Sequence, residues 1–319
     1  MLISAICPTY NESANIENIL RFFTGSEPKD KELIIVDGGS NDGTQEIVTR
    51  WANDFDNIYL INNPEKYVPF ALNKAIRKSK GKIIVRLDAH TVYSRDYFLK
   101  IIQTFELSKA DIVGGPMRKT GKSDFQKAVA YCTSSKFGIG DSKIHDEKYI
   151  GESDHVYLGA WKRDLFNEIG FFDESLIRNQ DDEFHYRAKS YGKKIFINPE
   201  IKSYYYPRDS IYKLFKQFFQ YGYYKPKVSI KIKSEIKMRH LIPSIFVLYL
   251  IVLLFISDPF PVRIPLLAYF LLTVLYSFKE SGSLREKILR VFVFPVIHLA
   301  YGTGYLTGLF PAVKSVCKK

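Results

Sequence analysis

Continuous apolar runs near the start of the chain predict the strands of a sheet. Leu33–Val36 and Ile83–Val85 are apolar at every position rather than at alternate ones, which is typical of strands covered on both faces. Leu2–Cys7, which is apolar apart from Ser4, is predicted as a further strand, and a helix is predicted after it over Ala14–Phe23. The pattern predicts an α/β fold with a mostly parallel sheet.

Acidic side chains follow the ends of the predicted strands. Pro8–Glu12 follows Leu2–Cys7. Asp37 opens the turn Gly-Gly-Ser-Asn-Asp-Gly after Leu33–Val36, and Asp88 and His90 follow Ile83–Val85. Ligands of parallel α/β sheets bind beyond the carboxyl ends of the strands, so these groups predict one pocket. Asp88 and His90 are two residues apart, and in an extended chain their side chains point to the same side.

The last quarter of the chain contains long stretches without charged residues. They are Leu241–Ser257 with seventeen residues, Ile264–Phe278 with fifteen, and Val291–Val313 with twenty-three. A membrane-spanning helix needs about twenty apolar residues, with a range of about 17 to 25. These segments predict a membrane domain over 241–319, with a buried helical domain as the alternative.

The stretch before these segments, Tyr206–His240, is basic and aromatic. It carries nine Lys or Arg against two acidic residues, and within Asp209–Tyr224 aromatic residues alternate with lysine and glutamine at helical spacing. Such a helix is typical of a membrane surface. Nucleic acid also offers phosphates, but uncharged segments long enough to enter lipid follow at once. A membrane is therefore the predicted partner, and nucleic acid is not.

The charge distribution predicts the orientation of the membrane domain. The loop Lys279–Arg290 carries four Lys or Arg and the stretch before Leu241 carries more, and basic loops favour the cytoplasmic side. The first two apolar segments are predicted to cross as a hairpin. The third is predicted to be re-entrant or interfacial, unless the second does not fully cross. Leu2–Cys7 does not resemble a signal peptide, so residues 1–205 are expected in the cytoplasm.

Composition narrows the class of protein. The chain has 319 residues, of which 46% are hydrophobic, and this excludes a disordered protein and leaves room for two domains. The formal net charge is +12 and is unevenly spread. The three cysteines form no CxxC pair and suit a reducing compartment.

A series of short motifs resembles family 2 glycosyltransferases. In chain order they are a Pro-x-Tyr-Asn-Glu turn, an Asp-Gly-Gly-Ser turn, an Ala-Leu-Asn helix, an Asp-Ala-His metal motif, a glycine and an acidic helix start. They correspond to Pro8–Glu12, Asp37–Thr44, Ala71–Asn73, Asp88–His90, Gly159 and Gln180–Arg187. Each motif alone is weak, and their common order makes the match strong. With the apolar C-terminus, the chain is most similar to the subgroup that builds bacterial exopolysaccharides of the succinoglycan type.

The resemblance implies a fold, a domain division and a donor site. The fold is a GT-A nucleotide-sugar-binding domain, which is Rossmann-like, over 1–205, followed by an interfacial linker over 206–240 and membrane helices over 241–319. The nucleotide sugar is expected to bind at the strand ends. The residues implied in that binding are Pro8, Tyr10, Glu12, Asp37, Asn73, Arg86 and Asp88.

The resemblance also implies a divalent cation. The two phosphate charges of a nucleotide sugar must be neutralised as the leaving group departs, and a cation held by one or two carboxylates does this. Asp88 is the expected ligand, and His90 is expected to hold the same ion directly or through water. Mixed carboxylate and imidazole ligation is compatible with Mn²⁺ or Mg²⁺.

The acceptor hydroxyl requires a base, which the family takes from the second residue of a Glu-Asp motif. The matching residues are Gln180 and Asp181, so Asp181 is the expected base and Asp182 is the alternative. Attack on the face opposite the nucleotide would displace the diphosphate with inversion at the anomeric carbon.

A further motif of the family closes over donor and acceptor. Gln217, Tyr221 and Lys225 resemble a degenerate version of it. A purely lipid-facing role for these residues is the alternative.

These observations predict a multi-pass enzyme of the cell membrane with a cytoplasmic catalytic domain. It is expected to move a single sugar from a nucleotide sugar, expected to be UDP-linked, to a polyprenyl-diphosphate-linked saccharide in cell-surface polysaccharide biosynthesis. A polyprenyl-phosphate sugar synthase of the dolichyl-phosphate type is the alternative within the same chemistry. A non-catalytic, nucleotide-binding membrane scaffold is the alternative from another class, because Gly38, His90 and Gln180 depart from the family pattern. Retention of Asp88 and Asp181 favours the enzyme.

Overall fold

The computed structural model describes residues 2–232, 238–256 and 260–316. Part of the predicted linker lies outside the described residues, and so do Lys318 and Lys319 at the end of the chain.

The described chain divides into two compact units. The first contains Met1–Arg118 and Ser142–Tyr205, and the second contains Lys119–Asp141 and Tyr206–Lys319. The division drawn from the sequence keeps 1–205 together, whereas the structure groups the internal segment Lys119–Asp141 with the C-terminal helices. We call this segment the insertion.

Short strands make up two sheets. They are β1 (Ile3–Thr9), β2 (Lys31–Asp37), β3 (Ile58–Asn62), β4 (Ile83–Arg86), β5 (Thr91–Tyr93), β6 (Ile112–Gly115), β7 (Arg118–Lys119), β8 (Gly151–Glu152), β9 (Tyr157–Lys162), β10 (Ile195–Ile197) and β11 (Ser203–Tyr205). The larger sheet has the order β3-β2-β1-β4-β9-β6-β10-β8, and the smaller has the order β5-β11-β7.

The larger sheet is mostly parallel, as predicted. β1 runs parallel to β2 and β4, β2 to β3, and β6 to β10. β9 is antiparallel to its neighbours β4 and β6. The carboxyl ends of β1, β2 and β4 therefore lie at one edge, which is where the sequence predicts a pocket.

Helices of the first unit cover both faces of the larger sheet. They are α1 (Ile16–Gly25), α2 (Thr44–Asp54), α3 (Val68–Lys78), α4 (Tyr97–Ser108), α7 (Asp164–Ile169) and α8 (Gln180–Ser190). The second unit contains α5 (Asp124–Cys132), α6 (Lys136–Ile139), α9 (Ile211–Lys231), α10 (Met238–Leu253), α11 (Phe260–Lys279) and α12 (Leu284–Val316).

Burial on both faces explains the continuous apolar runs. Along β2, Leu33 and Ile35 belong to the core under α1, α2 and α4, while Ile34 and Val36 belong to the core under α3, α7 and α8. Because successive strand residues point to opposite faces, every position from Leu33 to Val36 needs an apolar side chain.

Glycines allow α9 and α12 to pack closely in the second unit. A Cβ on Gly304 would lie 2.2 Å from the Phe219 carbonyl oxygen, and one on Gly308 would lie 2.1 Å from that of Tyr223. A Cβ on Gly222 would lie 2.2 Å from the Tyr301 carbonyl oxygen. The small-xxx-small spacing of Gly304 and Gly308 therefore marks a real helix contact.

Gly304→Val is expected to lower the free energy of unfolding of the second unit by about 1–3 kcal/mol or more, because a rigid backbone oxygen occupies the space the side chain needs. Thermal unfolding in detergent measures this loss. Gly25→Ala is the matched control, since a Cβ there meets nothing within 4 Å, and its effect is expected within about 0.5 kcal/mol. Equal stability of both variants would show that α9 and α12 do not pack in this way.

Within the part of the chain that the structure describes, two helices could cross a membrane by length and composition. They are Pro261–Lys279 in α11 and Leu284–Ala312 in α12, and α10 is a shorter apolar helix. Only 11% of the apolar window of α11 is buried, against 50% for α12. α12 is continuous from Leu284 to Val316, so the predicted re-entrant turn in this segment is wrong, and an interfacial placement stays a prediction.

Candidate active site

The turns after β1 and β2 are tied together by hydrogen bonds. The Asn11 backbone amide donates to Ser40 Oγ at 2.7 Å, and the Asn41 amide donates to Asn11 Oδ1 at 3.0 Å. The Glu12 amide donates to Thr44 Oγ1 at 2.9 Å. Asn11 has a φ of 54°, a left-handed conformation that asparagine tolerates better than most residues. The two strand ends therefore form one rigid edge.

Asp42 secures the same edge. Its Oδ1 accepts from the Thr44 hydroxyl at 2.5 Å and the Thr44 amide at 3.1 Å, and its Oδ2 accepts from the Ser13 amide at 2.9 Å. These hydrogen bonds, led by that of the Thr44 hydroxyl, hold the pKa of Asp42 well below its usual value. Asp42 is thus a structural part of the turn.

Asp37 is buried beneath this edge and organises it. Its Oδ1 accepts from the amides of Gly39 at 3.0 Å and Ser40 at 2.8 Å and from Gln45 Nε2 at 2.7 Å. Its Oδ2 accepts from Ser40 Oγ at 2.6 Å and Thr9 Oγ1 at 3.1 Å. A carboxylate has about four lone-pair positions that can accept hydrogen bonds. Groups of the protein itself already use those of Asp37. The expected contact of Asp37 with the nucleotide stays a prediction.

The chain turns after β4 instead of continuing as a strand. β4 ends at Arg86, and the Thr91 amide donates to the Asp88 carbonyl oxygen at 3.1 Å. The premise that Asp88 and His90 lie in an extended chain is therefore wrong, because side-chain alternation does not apply in a turn. Arg86 Nε donates to Asp88 Oδ1 at 2.9 Å, and Arg86 Nη2 donates to Oδ2 at 3.3 Å. The acidic side chain of the turn is thus held by an arginine of the strand.

His90 pairs with Glu12 of the first turn. Its Nδ1 lies 3.0 Å from Glu12 Oε1, and Asn15 Nδ2 donates to Glu12 Oε2 at 2.8 Å. The ring of Tyr205 meets the imidazole at a centroid distance of 6.1 Å. A carboxylate at Nδ1 favours the tautomer with its proton there, which leaves the lone pair on Nε2.

The acidic start of α8 belongs to the same charged region. Burial lowers the pKa of Arg86, but the carboxylates of Asp88 and Asp181 outweigh this effect and leave that pKa raised. Asp181 is therefore within electrostatic reach of the Arg86–Asp88 pair. Its Oδ1 also accepts from the Asp182 amide at 3.1 Å, as is common in the first turn of a helix.

A pair of histidines supports the start of α8. His185 is 2% exposed, and its Nδ1 lies 2.7 Å from His155 Nδ1. His155 Nδ1 lies 3.7 Å from Asp182 Oδ1. Burial, and then the charge of His155, lowers the pKa of His185 well below its usual value. His185 is therefore neutral in the folded protein at neutral pH.

The neutral state of His185 predicts a loss of stability in acid. An unfolded histidine binds a proton below a pH of about 6.5 while the folded one does not, so the free energy of unfolding of the first unit should fall by up to about 1.4 kcal/mol per pH unit below that value. Urea unfolding at several pH values measures this slope. His185→Gln should remove it, and an unchanged slope in that variant would assign it to other groups.

Tyrosines that the sequence analysis missed surround Asp88. The Asp88 amide donates to the Tyr93 hydroxyl at 2.7 Å, and the Tyr157 hydroxyl lies 3.4 Å from Thr91 Oγ1. Burial, and then the charge of Asp88, raises the pKa of Tyr157 well above its usual value. The rings of Tyr157 and Tyr205 meet at 6.4 Å. No local motif marks these residues, because β5, β9 and β11 bring them together from distant parts of the chain.

The side chain of Asn73 is not exposed but makes hydrogen bonds within the protein. Its Nδ2 donates to the Phe172 carbonyl oxygen at 2.9 Å and to Glu174 Oε1 at 2.8 Å, while its Oδ1 accepts from the Phe172 amide at 3.0 Å. The amide thus fixes the segment after α7, and its expected contact with the donor stays a prediction.

Pro8 and Tyr10 lie at the edge where the sequence places them. Pro8 is next to Val36 of β2 in the parallel register, and Tyr10 is 52% exposed. The Tyr10 ring lies 3.3 Å from the position that a Cβ on Gly38 would take. Gly38 therefore leaves room for this ring.

Gln217, Tyr221 and Lys225 belong to α9 in the second unit. Gln217 Nε2 donates to the Tyr221 hydroxyl at 3.1 Å. Lys225 is only 7% exposed, and its charge lies near Tyr305 of α12. Gln217 and Tyr221 thus contact each other, and the expected closing role of the three residues stays a prediction.

The residues at the edge fit one kind of cation site. Among the residues described, no three His, Cys, Asp or Glu side chains come close enough to hold a metal ion by themselves. Mg²⁺ is commonly held by one or two carboxylates and the phosphates of a substrate. Asp88, with His90 in the tautomer of a metal ligand, is compatible with that mode.

The chain belongs to glycosyl transferase family 2, whose pattern matches residues 4–170. It is 32% identical over 242 residues to the succinoglycan biosynthesis protein ExoA of Rhizobium meliloti (strain 1021), covering 75% of this chain and 73% of that protein. It is 29% identical over 230 residues to the dolichyl N-acetyl-alpha-D-glucosaminyl phosphate 3-beta-D-2,3-diacetamido-2,3-dideoxy-beta-D-glucuronosyltransferase of Methanococcus voltae, covering 69% and 71%. The protein is therefore a glycosyltransferase, and relatives act in polysaccharide and glycan biosynthesis.

Solved structures support the GT-A fold. The mannosyltransferase PcManGT of Pyrobaculum calidifontis, in complex with GDP-Man and Mn²⁺, superposes with a TM-score of 0.62 at 18% identity, covering 97% of this chain and 87% of that one. S. aureus TarS 1-349 in complex with UDP-GlcNAc gives a TM-score of 0.54 at 15% identity, covering 96% and 91%. At these identities the likeness concerns the fold.

Proposed function

We propose that this glycosyltransferase is an inverting enzyme that moves a single sugar from a nucleotide sugar to a polyprenyl-diphosphate-linked saccharide in cell-surface polysaccharide synthesis. The observation that carries the proposal is that Asp88 contacts the guanidinium of Arg86 directly while the charge of Asp181 acts on the same guanidinium. A single displacement needs one group to stabilise the departing diphosphate and another to accept the proton of the acceptor. The two carboxylates come from the end of β4 and the start of α8, so they can take these separate roles.

Asp181 is the proposed base. It accepts the proton of the acceptor hydroxyl as the oxygen attacks the anomeric carbon, and the bond from that carbon to the diphosphate breaks with its electron pair leaving on the nucleoside diphosphate. The proton then passes from Asp181 to water. Attack from the side opposite the leaving group inverts the configuration, and a product that retains it would exclude this mechanism.

Asp88 and His90 are the proposed ligands of Mn²⁺ or Mg²⁺. When bound, such an ion would supply charge to the departing diphosphate. Pro8, Tyr10 and Glu12 lie on the rigid edge and are proposed to line the nucleotide site, with Asp37 and Asn73 shaping the backbone around it. The donor is proposed to be UDP-linked, and the assay below includes GDP-sugars for this reason.

The membrane is the proposed location of the acceptor. We assign catalysis to the first unit, a surface role to 206–240 and a membrane role to 241–319, with the first unit on the cytoplasmic side. Phe270, Leu271 and Leu275 on α11 are exposed, which supports contact with lipid. α9 exposes Tyr212 and Phe215 beside Lys213 and Lys216, a combination that suits headgroups.

A polyprenyl-phosphate sugar synthase is the alternative within the same chemistry. The name of the Methanococcus voltae relative describes transfer to a sugar already carried by dolichyl phosphate, which favours a lipid-linked saccharide acceptor. The two functions yield different products, a lengthened lipid-linked saccharide or a lipid monophosphate sugar, and mass spectrometry of the lipid extract distinguishes them.

Release of nucleoside diphosphate tests the proposal. Membranes with the full chain are incubated with UDP-sugars or GDP-sugars, Mn²⁺ and a lipid-linked acceptor extract. Release that requires both metal and acceptor supports the transferase. Absence of release with every donor, while the purified chain still binds nucleotide, would favour the non-catalytic scaffold.

A further inference from the structure

Arg86 occupies both oxygens of Asp88 within the candidate active site. The two hydrogen bonds measure 2.9 and 3.3 Å, and the side chains of Arg86 and Asp88 are only 16% and 17% exposed. A two-point contact of this kind is among the stronger ionic interactions in proteins. The carboxylate proposed to hold a cation therefore already has a counter-ion.

The surroundings of Arg86 contain more than one anionic partner. The charges that act on the guanidinium include Asp88 in the turn after β4 and Asp181 on α8, and Tyr157 on β9 is close as well. Neutral His185 on α8 is also within electrostatic range. The guanidinium of Arg86 thus contacts the proposed metal ligand directly, and the charge of the proposed base acts on it as well.

An arginine cannot release its charge by losing a proton, so a divalent cation at Asp88 meets the repulsion of the adjacent guanidinium unless that group moves. Moving it costs free energy unless another anion accepts it. The diphosphate of a donor provides such an anion, and guanidinium groups bind phosphate oxygens in the same two-point manner.

We propose that Arg86 is a built-in counter-ion that keeps cation binding at Asp88 weak until the diphosphate of the donor arrives and takes over the guanidinium. Donor and metal ion then bind with positive coupling. This inference rests on the proposed function, because it takes Asp88 as a metal ligand. In this role Arg86 contacts Asp88 when the donor is absent and the donor diphosphate when the donor is bound.

Manganese binding without any nucleotide tests the inference. Free Mn²⁺ is counted by electron paramagnetic resonance while the detergent-solubilised full chain is titrated. Arg86→Met is expected to bind Mn²⁺ at least about tenfold more tightly than wild type, because it removes a positive charge adjacent to the ligand. A merely structural role for Arg86 would give weaker binding or none, since damage to the fold does not tighten a site.

The same titration with UDP or GDP present measures the coupling. Nucleoside diphosphate should tighten Mn²⁺ binding in wild type by a larger factor than in Arg86→Met. Arg86→Lys keeps the positive charge but not the two-point geometry of the guanidinium. Its coupling factor is expected to lie between those of wild type and Arg86→Met. Arg77→Met is the control, since the Arg77 side chain is 56% exposed on α3, and it should match wild type.

Asp88→Asn distinguishes failure of the counter-ion role of Arg86 from failure of the proposed metal site. If this variant loses Mn²⁺ binding while Arg86→Met gains none, the counter-ion role is overturned and the metal site stands. If Asp88→Asn binds Mn²⁺ as wild type does, the metal assignment in the proposed function fails. If neither wild type nor Arg86→Met binds Mn²⁺ with or without nucleotide, both are overturned.

Discussion

Asp181→Asn is expected to reduce the rate of sugar transfer by about 10²–10⁴-fold, the range that a positioned general base contributes. The amide keeps the size of the side chain but cannot accept the proton of the acceptor hydroxyl. Binding of nucleotide to the first unit should change little, because the rigid edge formed by β1 and β2 does not involve Asp181. Product formation with saturating donor and acceptor measures the loss, and calorimetric nucleotide binding checks the site.

Asp182→Asn is the matched control for this experiment. Asp182 is the neighbouring acid on α8 and lies 3.7 Å from His155 Nδ1, so its loss should disturb the start of the helix without removing the base. A loss of activity several-fold or less is expected. If Asp182→Asn inactivates the enzyme and Asp181→Asn does not, the two carboxylates exchange roles.

A chain that ends at Tyr205 is expected to aggregate. In the full chain, Ala128, Val129 and Cys132 of α5 are buried in a cluster that includes Phe294 and Ile297 of α12. Without the C-terminal helices this face of the insertion has no cover, and each large apolar side chain left in water costs about 1.5–3 kcal/mol. Size-exclusion chromatography should find aggregates.

Replacing residues 120–141 by a short Gly-Ser linker provides the control in the same truncated chain. The Met117 amide donates to the Ile144 carbonyl oxygen at 2.7 Å, so the ends to be joined lie close together. This variant is expected to be monomeric. A monomeric chain 1–205 with its insertion intact would show that α5 does not depend on α12.

Much of the first unit follows from local sequence. Leu33–Val36 is a strand because both faces of the sheet are covered, and the glycine-rich turn after it follows because Gly39 and Gly43 adopt φ values of 80° and 94°, which other residues rarely reach. The position of Asp88 just after β4 follows as well, because the apolar run before it predicts that strand. These features depend on neighbours in the chain, and the sequence contains them.

The partners of the site residues depend on distant parts of the chain and were harder to predict. His90 pairs with Glu12, and His185 pairs with His155 thirty residues earlier. A carboxylate in a family motif suggests contact with ligand, yet the acceptor positions of Asp37 are used within its own turn. Sequence reasoning locates such residues but cannot tell which of them serve the ligand and which serve the backbone.

The insertion was the main feature of the chain division that the sequence analysis did not reveal. Its composition resembles that of a globular domain, and nothing local distinguishes α5 from a helix on the sheet. Its cover consists of side chains near Arg290 and Phe294, more than 150 residues later. The hydropathy pattern along the chain does not reveal a pairing between segments so far apart.

The insertion sets an order of events during synthesis. The Cys132 thiol contacts the Arg290 carbonyl oxygen across 158 residues, and the Tyr131 hydroxyl donates to the Tyr276 carbonyl oxygen across 145. Ribosomes add about 5–20 residues per second, so Arg290 is added about 8–32 s after Cys132. During that interval the apolar face of α5 needs a temporary cover, and a chaperone or the bilayer surface can provide it. The second unit is therefore complete only when the C-terminal helix has been made, although its first segment is synthesised in the first half of the chain.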